Sequence, residues 1–378
     1  MSYETAIKFI DYILKGDSDY LNFENSGGFV LDFIGGEPLL EVDLVCDVSK
    51  YLIEKMIREN HPWLHRFRIL VGSNGTLYFN EKFQKLLETY GNWIVYDVTI
   101  DGNKELHDSC RVFADGSGSY DLAVAAMRDY SHGFKDRLSS KITLAPENLP
   151  LMNEALRHFI SLGFTDINAN CVFEDVWSIK DAKIFYQQLK EFADYVLDND
   201  LDEKIYCSLF REEAFSPYTG NDDNWCGGTG KMLAMNHTGN LYPCIRYMES
   251  SLGDSVEPII IGHIDTGIGA NEKEQEWIKG LQAITYTSQS PEECLNCPIA
   301  DGCAWCSAYN YQVFGEINKR ATFICIMHKA RALGNYYYWN KYYKKYNKEE
   351  RKKVYIPKEW ALEIISEDEF NYLIELSK

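Results

Sequence analysis

Short apolar segments alternate with helical patterns over the first 200 residues of the chain. Five segments rich in β-branched and aromatic residues have the length of strands. They occupy residues 29–34, 67–71, 94–100, 141–144 and 167–172. Each is followed by a stretch whose apolar residues recur every three or four positions, at residues 44–56, 81–90, 120–130, 152–162 and 179–196. This repetition of strand and helix predicts a parallel sheet covered by helices.

The third predicted strand carries polar residues on one face. Asp97, Thr99 and Asp101 stand at alternate positions, and the strand period of two puts them on the same side. A strand covered by helices on both faces would be apolar on both, so we expect this face to border a crevice or a barrel interior. Asn168 and Asn170 repeat the pattern on the fifth strand. For each strand taken alone, a satisfied internal hydrogen-bond network is the alternative.

Polar residues also stand at or near the carboxyl ends of several predicted strands: Glu37, Ser73, Asn74, Asp101 and Asn170. Parallel α/β folds bind their ligands at this edge of the sheet. Taken together, these positions favour a ligand site.

Composition and charge narrow the class of protein. The chain has 378 residues, of which 46% are hydrophobic and 25% are charged, so we expect two or three globular domains. Its net charge of −19 argues against a broad nucleic-acid-binding face, because duplex binding needs a basic surface. No apolar run approaches the ~20 residues of a membrane span. No signal peptide is visible either, so we expect a cytoplasmic protein without membrane attachment.

The cysteines are concentrated in the second half of the chain. Seven of the eleven fall between residues 226 and 325: Cys226, Cys244, Cys294, Cys297, Cys303, Cys306 and Cys325. In a reducing cytoplasm such clusters hold metal more often than disulfides, and a Cys-x2-Cys spacing lets two thiolates bind one centre. Seven ligands exceed the four of one site, so two centres are predicted. The five-residue gap between the two pairs is short for a zinc ribbon, which favours iron–sulfur clusters over structural zinc.

Several motifs resemble those of radical SAM enzymes with a SPASM extension. The strand-end motifs are Gly35-Gly36-Glu37-Pro38, Ser73-Asn74-Gly75 and Thr99-Ile100-Asp101-Gly102, and the seven-cysteine array is similar to the SPASM pattern. The resemblance covers residues 1 to about 330 and implies an α/β fold. This is a partial (β/α)6 radical SAM barrel missing its first strand, at 1–200, followed by a Cys-rich SPASM iron–sulfur domain at 201–330. Cys303-x2-Cys306 departs from the usual three-residue gap.

The same resemblance implies S-adenosylmethionine (SAM) as a cofactor. Gly35, Gly36, Glu37 and Pro38 would bind its amino group, because two glycines let the backbone approach closely. The other residues of the candidate SAM-binding set are Ser73, Asn74, Thr99, Asp101, Arg111 and Asn170. Arg111 would pair with the SAM carboxylate, or it is a surface arginine. Asp101 could instead cap the segment that follows it.

The SPASM resemblance also assigns ligands to two auxiliary [4Fe–4S] clusters. The outer cluster would be held by Cys294, Cys297, Cys303 and Cys325, and the inner one by Cys226, Cys244 and Cys306. The inner set lacks a fourth ligand. Cys207 could fill that position, or the position stays open for a substrate thiolate. Alternatively, Cys207 is a buried cysteine on a strand.

Longer stretches resemble one subfamily. Residues 224–232, 242–248 and 101–108 are similar to maturases that act on Cys-rich, CXXX-repeat precursor peptides and form thioether crosslinks. The implied partners are such a peptide and an electron donor such as flavodoxin or ferredoxin. The alternatives are a sulfatase-type maturase, a non-catalytic iron–sulfur protein for binding or electron transfer, and a zinc-stabilised binding module. No catalytic acid or base is identified.

One family motif is absent from the sequence. Radical SAM enzymes bind their catalytic cluster with Cys-x3-Cys-x2-Cys, and no Cys-x3-Cys occurs in this chain. The simplest interpretation is that the chain starts late, at an internal methionine, and has lost strand one with its cysteines. As written, it is not expected to cleave SAM. An in-frame motif just upstream in the coding sequence would establish truncation.

The last segment, 331–378, is an aromatic and basic extension. Tyrosines and Trp339 alternate with lysines and arginines, a composition that can bind single-stranded nucleic acid. We favour a helix that packs its aromatic residues against the barrel and leaves its lysines in water. Residues 368–376 are predicted to form a short amphipathic helix.

Metal analysis of the anaerobically reconstituted chain tests these assignments. If each thiolate set holds a four-iron cluster, we expect about eight irons per polypeptide with matching sulfide. About one or two zinc ions without sulfide would instead make the second half a zinc-binding module.

Overall fold

A computed structural model describes residues 1–16, 20, 27–134, 139–220, 222, 224 and 226–378. The chain divides into two compact units. Unit 1 consists of residues 1–97, 221–291 and 306–321, and unit 2 consists of residues 98–220, 292–305 and 322–378. The predicted domain boundaries at residues 200 and 330 stay a prediction.

The described residues form short strands and helices of varied length. The strands are β1 Phe29–Phe33, β2 Phe67–Ser73, β3 Ile94–Val98, β4 Ser139–Leu144, β5 Asp166–Cys171, β6 Tyr206–Cys207, β7 Ala234–Met235, β8 Asn240–Tyr242, β9 Gly262–His263 and β10 Gly267–Ile268. The helices are α1 Tyr3–Lys15, α2 Val42–Arg58, α3 Glu81–Tyr90, α4 Lys104–Cys110, α5 Tyr120–Phe134, α6 Met152–Ser161, α7 Ile179–Asp198, α8 Glu249–Leu252, α9 Glu272–Gln282, α10 Tyr286–Gln289, α11 Glu292–Leu295, α12 Ser307–Phe314, α13 Cys325–Lys345, α14 Lys358–Leu362 and α15 Glu367–Leu376. None of these helices is long and apolar enough to cross a membrane.

Unit 1 contains two sheets. The first has the order β1-β2-β3, and β1 runs parallel to β2 with Phe29 opposite Phe67. The second is a four-stranded sheet of order β10-β9-β8-β7, whose neighbours are antiparallel. Helix α2 buries Leu52, Ile53 and Met56 completely, as the helical spacing of its apolar residues predicted.

Unit 2 contains a three-stranded parallel sheet of order β4-β5-β6. Helix α7 begins with a capping box, in which Ser178 and Asp181 satisfy each other's backbone N–H groups, and such reciprocal caps fix a helix start.

The predicted strands and helices of the first 200 residues are present, and buried and half-buried residues alternate along β3. Two expectations are wrong: β3 ends at Val98, so Thr99 and Asp101 lie beyond the strand that carries Asp97, and the five strands belong to two separate sheets rather than one. The two-residue strand β6 contains Cys207, which the sequence analysis considered as a buried cysteine on a strand.

The C-terminal segment confirms the predicted aromatic helix. Helix α13 buries Tyr336, Tyr337, Tyr338 and Tyr343 and packs along α7 in unit 2. Lysines at the end of the helix are exposed, whereas Lys352, in the segment that follows, is half-buried. Its ammonium donates to the carbonyls of Glu212 and Ala214, and burial lowers its pKa to about 8. The predicted amphipathic end of the chain is α15, which buries Phe370, Leu373 and Leu376.

Polar side chains on α13 hold the segment that follows β6. The fully buried amide of Asn335 accepts from the Arg211 N–H at 2.7 Å and donates to the Leu209 carbonyl at 2.8 Å. Arg331 donates to the Ser208 and Leu209 carbonyls, and Tyr336 donates to the Phe215 carbonyl. These hydrogen bonds pair backbone groups of residues 208–215, the segment that follows β6.

Replacement of Asn335 tests this arrangement. Asn335→Ala leaves the Arg211 N–H without its acceptor and removes one of the two donors to the Leu209 carbonyl, so we expect it to lower the free energy of unfolding by about 2 kcal/mol. Urea denaturation measures the change. The control Lys344→Ala removes an exposed side chain from the same helix and should change the value by less than about 0.5 kcal/mol. Equal effects of the two substitutions would contradict the role of Asn335.

Candidate cofactor-binding and metal sites

The predicted SAM-binding residues of unit 1 meet around the Glu37 carboxylate. Glu37 follows β1 and precedes a short 3-10 helix, Pro38–Glu41, whose Leu39 N–H it accepts at 3.0 Å. The same oxygen accepts from the Ser73 hydroxyl at 2.9 Å, and the other accepts from the Asn74 N–H at 2.7 Å. One carboxylate therefore ties the turn after β1 to the turn after β2.

The two glycines before Glu37 shape this turn. Gly35 has φ +101° and Gly36 has φ +49°, a left-handed backbone that other residues adopt only with strain. A Cβ atom built on either glycine would meet no atom within 4 Å. Both residues are exposed, so their backbone groups are open to a ligand. This arrangement fits the expected close approach of a cofactor.

A second group of predicted residues lies in unit 2. Arg111, the residue after α4, forms a two-pronged ion pair with Asp101. Asp101 does not cap α4, because the Asn103 side chain accepts the Leu106 N–H there. Thr99 is half-buried beyond β3, and Asn170 is exposed on β5.

The buried side chain of His107 is hydrogen-bonded to the backbone of Asp101 and, through Ser119, to that of Arg111. The Asp101 N–H donates to His107 Nδ1 at 3.3 Å, so this nitrogen is the acceptor of a neutral ring. His107 Nε2 therefore donates to the Ser119 hydroxyl at 3.1 Å, and Ser119 donates to the Arg111 carbonyl at 3.0 Å. Burial lowers the pKa of His107. The sequence reasoning missed this residue, although it lies in the 101–108 motif.

The predicted inner cysteines share a structural position in unit 1. Cys226 caps the 3-10 helix Gly227–Thr229, Cys244 caps the 3-10 helix Ile245–Tyr247, and Cys306 caps α12. Backbone N–H groups at the start of two of these helices oppose the rise in the thiol pKa: those of Arg246 and Tyr247 act on Cys244, and those of Tyr309 and Ala308 act on Cys306.

The three inner thiols are close enough to influence one another. Burial raises the pKa of Cys244 to about 12, and Cys306 and Cys226 add to the rise. Burial also raises the pKa of Cys306, against the opposing effect of the Tyr309 N–H and the Arg246 charge. Bound metal would reverse these shifts, because a coordinating thiol is deprotonated.

Hydroxyl groups surround the inner thiols. Ser307 Oγ lies 3.3 Å from Cys226 Sγ, and the Tyr20 hydroxyl donates to the Gly228 carbonyl at 3.2 Å. The Tyr247 hydroxyl is buried and has no hydrogen-bond partner among the described residues. A buried hydroxyl without an acceptor beside three thiols fits a polar group bound by those thiols.

The predicted outer cysteines lie in unit 2. Cys294 is in α11, and the Cys297 N–H donates to its carbonyl at 3.3 Å. Cys303 follows in the same loop, and Cys325 is the first residue of α13. His328 lies one turn after Cys325 and donates to the Ile299 carbonyl of the loop at 2.6 Å. This bond ties the loop to the helix end that carries the fourth cysteine.

Over the described part of the chain, no three His, Cys, Asp or Glu side chains converge as a ready-made metal site. None of the eleven cysteines forms a disulfide. Cys207 is buried on β6, and burial raises the pKa of its thiol to about 11. This position agrees with the buried-cysteine alternative. Trp225, which belongs to the 224–232 motif, lies outside the described residues.

Comparison with solved structures identifies the fold. The chain resembles hexahistidine-tagged anSMEcpe with bound AdoMet, with a TM-score of 0.62, 17% identity, and coverage of 96% of this chain and 89% of that chain. It resembles native anSMEcpe with bound AdoMet and Cp18Cys peptide, with a TM-score of 0.60, 18% identity, and coverage of 92% and 90%. It also resembles Streptococcus suis SuiB bound to S-adenosylmethionine, with a TM-score of 0.52, 12% identity, and coverage of 83% of this chain and 68% of that chain.

The chain has the radical SAM/SPASM fold. This confirms the predicted fold class, while the loss of a first strand stays a prediction. No protein-family model and no curated protein matches the chain.

The buried histidine of this radical SAM/SPASM fold predicts a pH dependence of stability. Because the pKa of His107 in the folded state lies below its ordinary value of 6.5, the unfolded chain binds the proton first. Stability from the neutral ring is present above about pH 6.5 and is lost as the pH falls below it. Urea denaturation at about pH 7 and pH 5 should show a smaller loss for His107→Gln than for the wild type. The control His132→Gln changes an exposed histidine, and an equal pH response in both variants would contradict the prediction.

Proposed function

We propose that the protein is a radical SAM maturase that modifies a ribosomally made, Cys-rich precursor peptide by forming a thioether crosslink. The fold supports this proposal, as do the sequence motifs at residues 101–108, 224–232 and 242–248. The observation that carries it is that the chain contains both an exposed Gly35-Gly36-Glu37 turn and a separate set of thiols at helix starts. The turn suits SAM binding, and the thiols suit auxiliary iron–sulfur clusters.

The SAM-binding role rests on residues whose geometry is described above. Gly35, Gly36 and Pro38 would present the backbone to the SAM amino group, and Glu37 would hold that turn against Ser73 and Asn74. The other residues proposed to bind SAM, Thr99, Asp101, Arg111 and Asn170, belong to unit 2. Arg111 already binds Asp101, so we propose that Asp101 orients the guanidinium rather than competing with the cofactor.

The metal-binding role rests on the two cysteine sets. Cys226, Cys244 and Cys306 would hold the inner cluster, and Cys294, Cys297, Cys303 and Cys325 the outer one. SAM would supply a carbon-centred radical only after one-electron reduction by a third, catalytic cluster, and this chain contains no Cys-x3-Cys-x2-Cys to hold that cluster. The two auxiliary clusters would bind substrate sulfur or carry electrons. We propose that the inner cluster keeps an open position, because Cys207 is buried in β6. A substrate thiolate is suited to that position.

A peptide is the proposed substrate. The similar anSMEcpe structure contains a Cp18Cys peptide beside AdoMet, and the net charge of −19 favours basic segments in a peptide partner. An electron donor such as flavodoxin or ferredoxin would reduce the clusters. The proposed reaction would join a cysteine sulfur to an acceptor carbon. The hydrogen atom of the C–H bond would go to the SAM-derived radical, the thiol proton to solvent, and the second electron to an auxiliary cluster, so that the peptide loses two hydrogen atoms in total.

SAM binding by the reconstituted protein tests the cofactor assignment. Glu37→Gln replaces one charged acceptor in the turn that joins Leu39, Ser73 and Asn74, so we expect about ten- to a hundredfold weaker SAM binding in equilibrium dialysis. The control Glu41→Gln removes an exposed carboxylate from the adjacent 3-10 helix and should bind SAM as the wild type does.

Two results would contradict the proposal. Wild-type protein with full iron and sulfide content that binds no SAM would favour a non-catalytic iron–sulfur protein. A cluster-loaded maturase that carries the Cys-x3-Cys-x2-Cys motif should release 5′-deoxyadenosine with reductant and a Cys-rich peptide. Release without loss of two hydrogen atoms from the peptide would exclude thioether formation.

A further inference from the structure

Among the described tyrosines near Cys226, Cys244 and Cys306, only Tyr247 has a buried hydroxyl without a hydrogen-bond partner. It ends the 3-10 helix that Cys244 caps, and its N–H donates to the Cys244 carbonyl at 3.1 Å. Its side chain is completely buried. A buried hydroxyl without a partner destabilises the folded state, so the position calls for a physical explanation.

The Tyr247 ring lies against the inner thiols. A Cβ atom built on Gly228 would lie 3.4 Å from Cys244 Sγ and 3.5 Å from Tyr247 Cε2, so the sulfur and the ring border the same space beside Gly228. The phenol is within electrostatic range of Cys226, Cys244 and Cys306. It nevertheless makes no hydrogen bond to any of the three sulfurs.

The other hydroxyl groups in this region, those of Ser307 and Tyr311, have hydrogen-bond partners. Ser307 Oγ lies 3.3 Å from Cys226 Sγ. A weak hydrogen-bonding interaction with Ser307 opposes the rise in the pKa of Tyr247, but the two hydroxyls do not reach the distance and angle of a hydrogen bond. Tyr311, whose ring is 6.2 Å from that of Tyr247, donates to the Glu257 carbonyl at 2.9 Å. Tyr247 therefore differs from its neighbours in having a donor near the thiols that lacks an acceptor, and a sulfur-containing group held by those thiols would supply one.

We propose that the Tyr247 hydroxyl donates a hydrogen bond to a sulfur of the inner iron–sulfur cluster and thereby raises the cluster's reduction potential. This inference rests on the proposed function, because it requires the inner thiols to hold a cluster. Hydrogen bonds to cluster sulfurs are among the factors that set reduction potentials. A donor stabilises the reduced cluster, which carries the additional negative charge.

Tyr247→Phe tests the inference with a matched control. The substitution removes the hydroxyl and keeps the ring, so iron and sulfide content should equal those of the wild type. EPR-monitored redox titration should show one of the auxiliary clusters shifted to a more negative potential. Tyr311→Phe makes the same change in the same unit and should leave both potentials unchanged. Apoprotein stability should fall in Tyr311→Phe, which loses a hydrogen bond, but not in Tyr247→Phe.

ENDOR spectroscopy of the reduced wild-type protein provides a test that needs no substitution. It should detect a strongly coupled exchangeable proton, which Tyr247→Phe loses and Tyr311→Phe retains. Absence of that proton, or unchanged potentials in Tyr247→Phe, would overturn the inference and leave the proposed function intact. Loss of iron in Tyr247→Phe alone would overturn it by indicating a ligand. Wild-type protein without iron and sulfide would instead overturn the proposed function.

Discussion

Parallel pairing between neighbouring strands is the constraint on which the candidate SAM-binding turn depends. β1 and β2 run in the same direction with Phe33 opposite Val71, so the turns that follow both strands lie at one edge of the sheet. Glu37 can therefore accept hydrogen bonds from Ser73 and Asn74, which are distant in sequence. The carboxylate holds both turns in place, and the glycines before it leave their backbone exposed.

The positions of the cysteines are the second feature on which the candidate sites depend. Each inner cysteine occupies the N-cap position of a short helix. The outer cysteines combine a loop with the first residue of α13, and the His328 bond to the loop joins these two pieces. The chain passes from unit 2 to unit 1 between Cys303 and Cys306. The Cys303-x2-Cys306 spacing, which departs from the family pattern, coincides with this change of unit.

The C-terminal helix α13 connects a proposed cluster ligand to the rest of unit 2. Helix α13 begins with Cys325 and continues through buried tyrosines and amides whose polar atoms bind the backbone after β6. These bonds give unit 2 directional contacts in addition to its apolar packing. The same helix therefore carries a proposed cluster ligand and fixes the segment beyond the parallel sheet.

The sequence by itself determined the elements whose patterns are local. Period-two and helical spacings identified the strands and helices of the first 200 residues, the cysteine spacing separated the predicted metal ligands from the other cysteines, and the aromatic tail was recognised as a packed helix. The SPASM resemblance assigned the ligands to two sets, an assignment that stays a prediction. Only the tertiary structure decided which groups meet. The pairing of Arg111 with Asp101, the neutral state of His107 and the orphaned hydroxyl of Tyr247 depend on contacts between separate segments. No local period encodes these contacts, because they arise when strands pair and loops pack against helices.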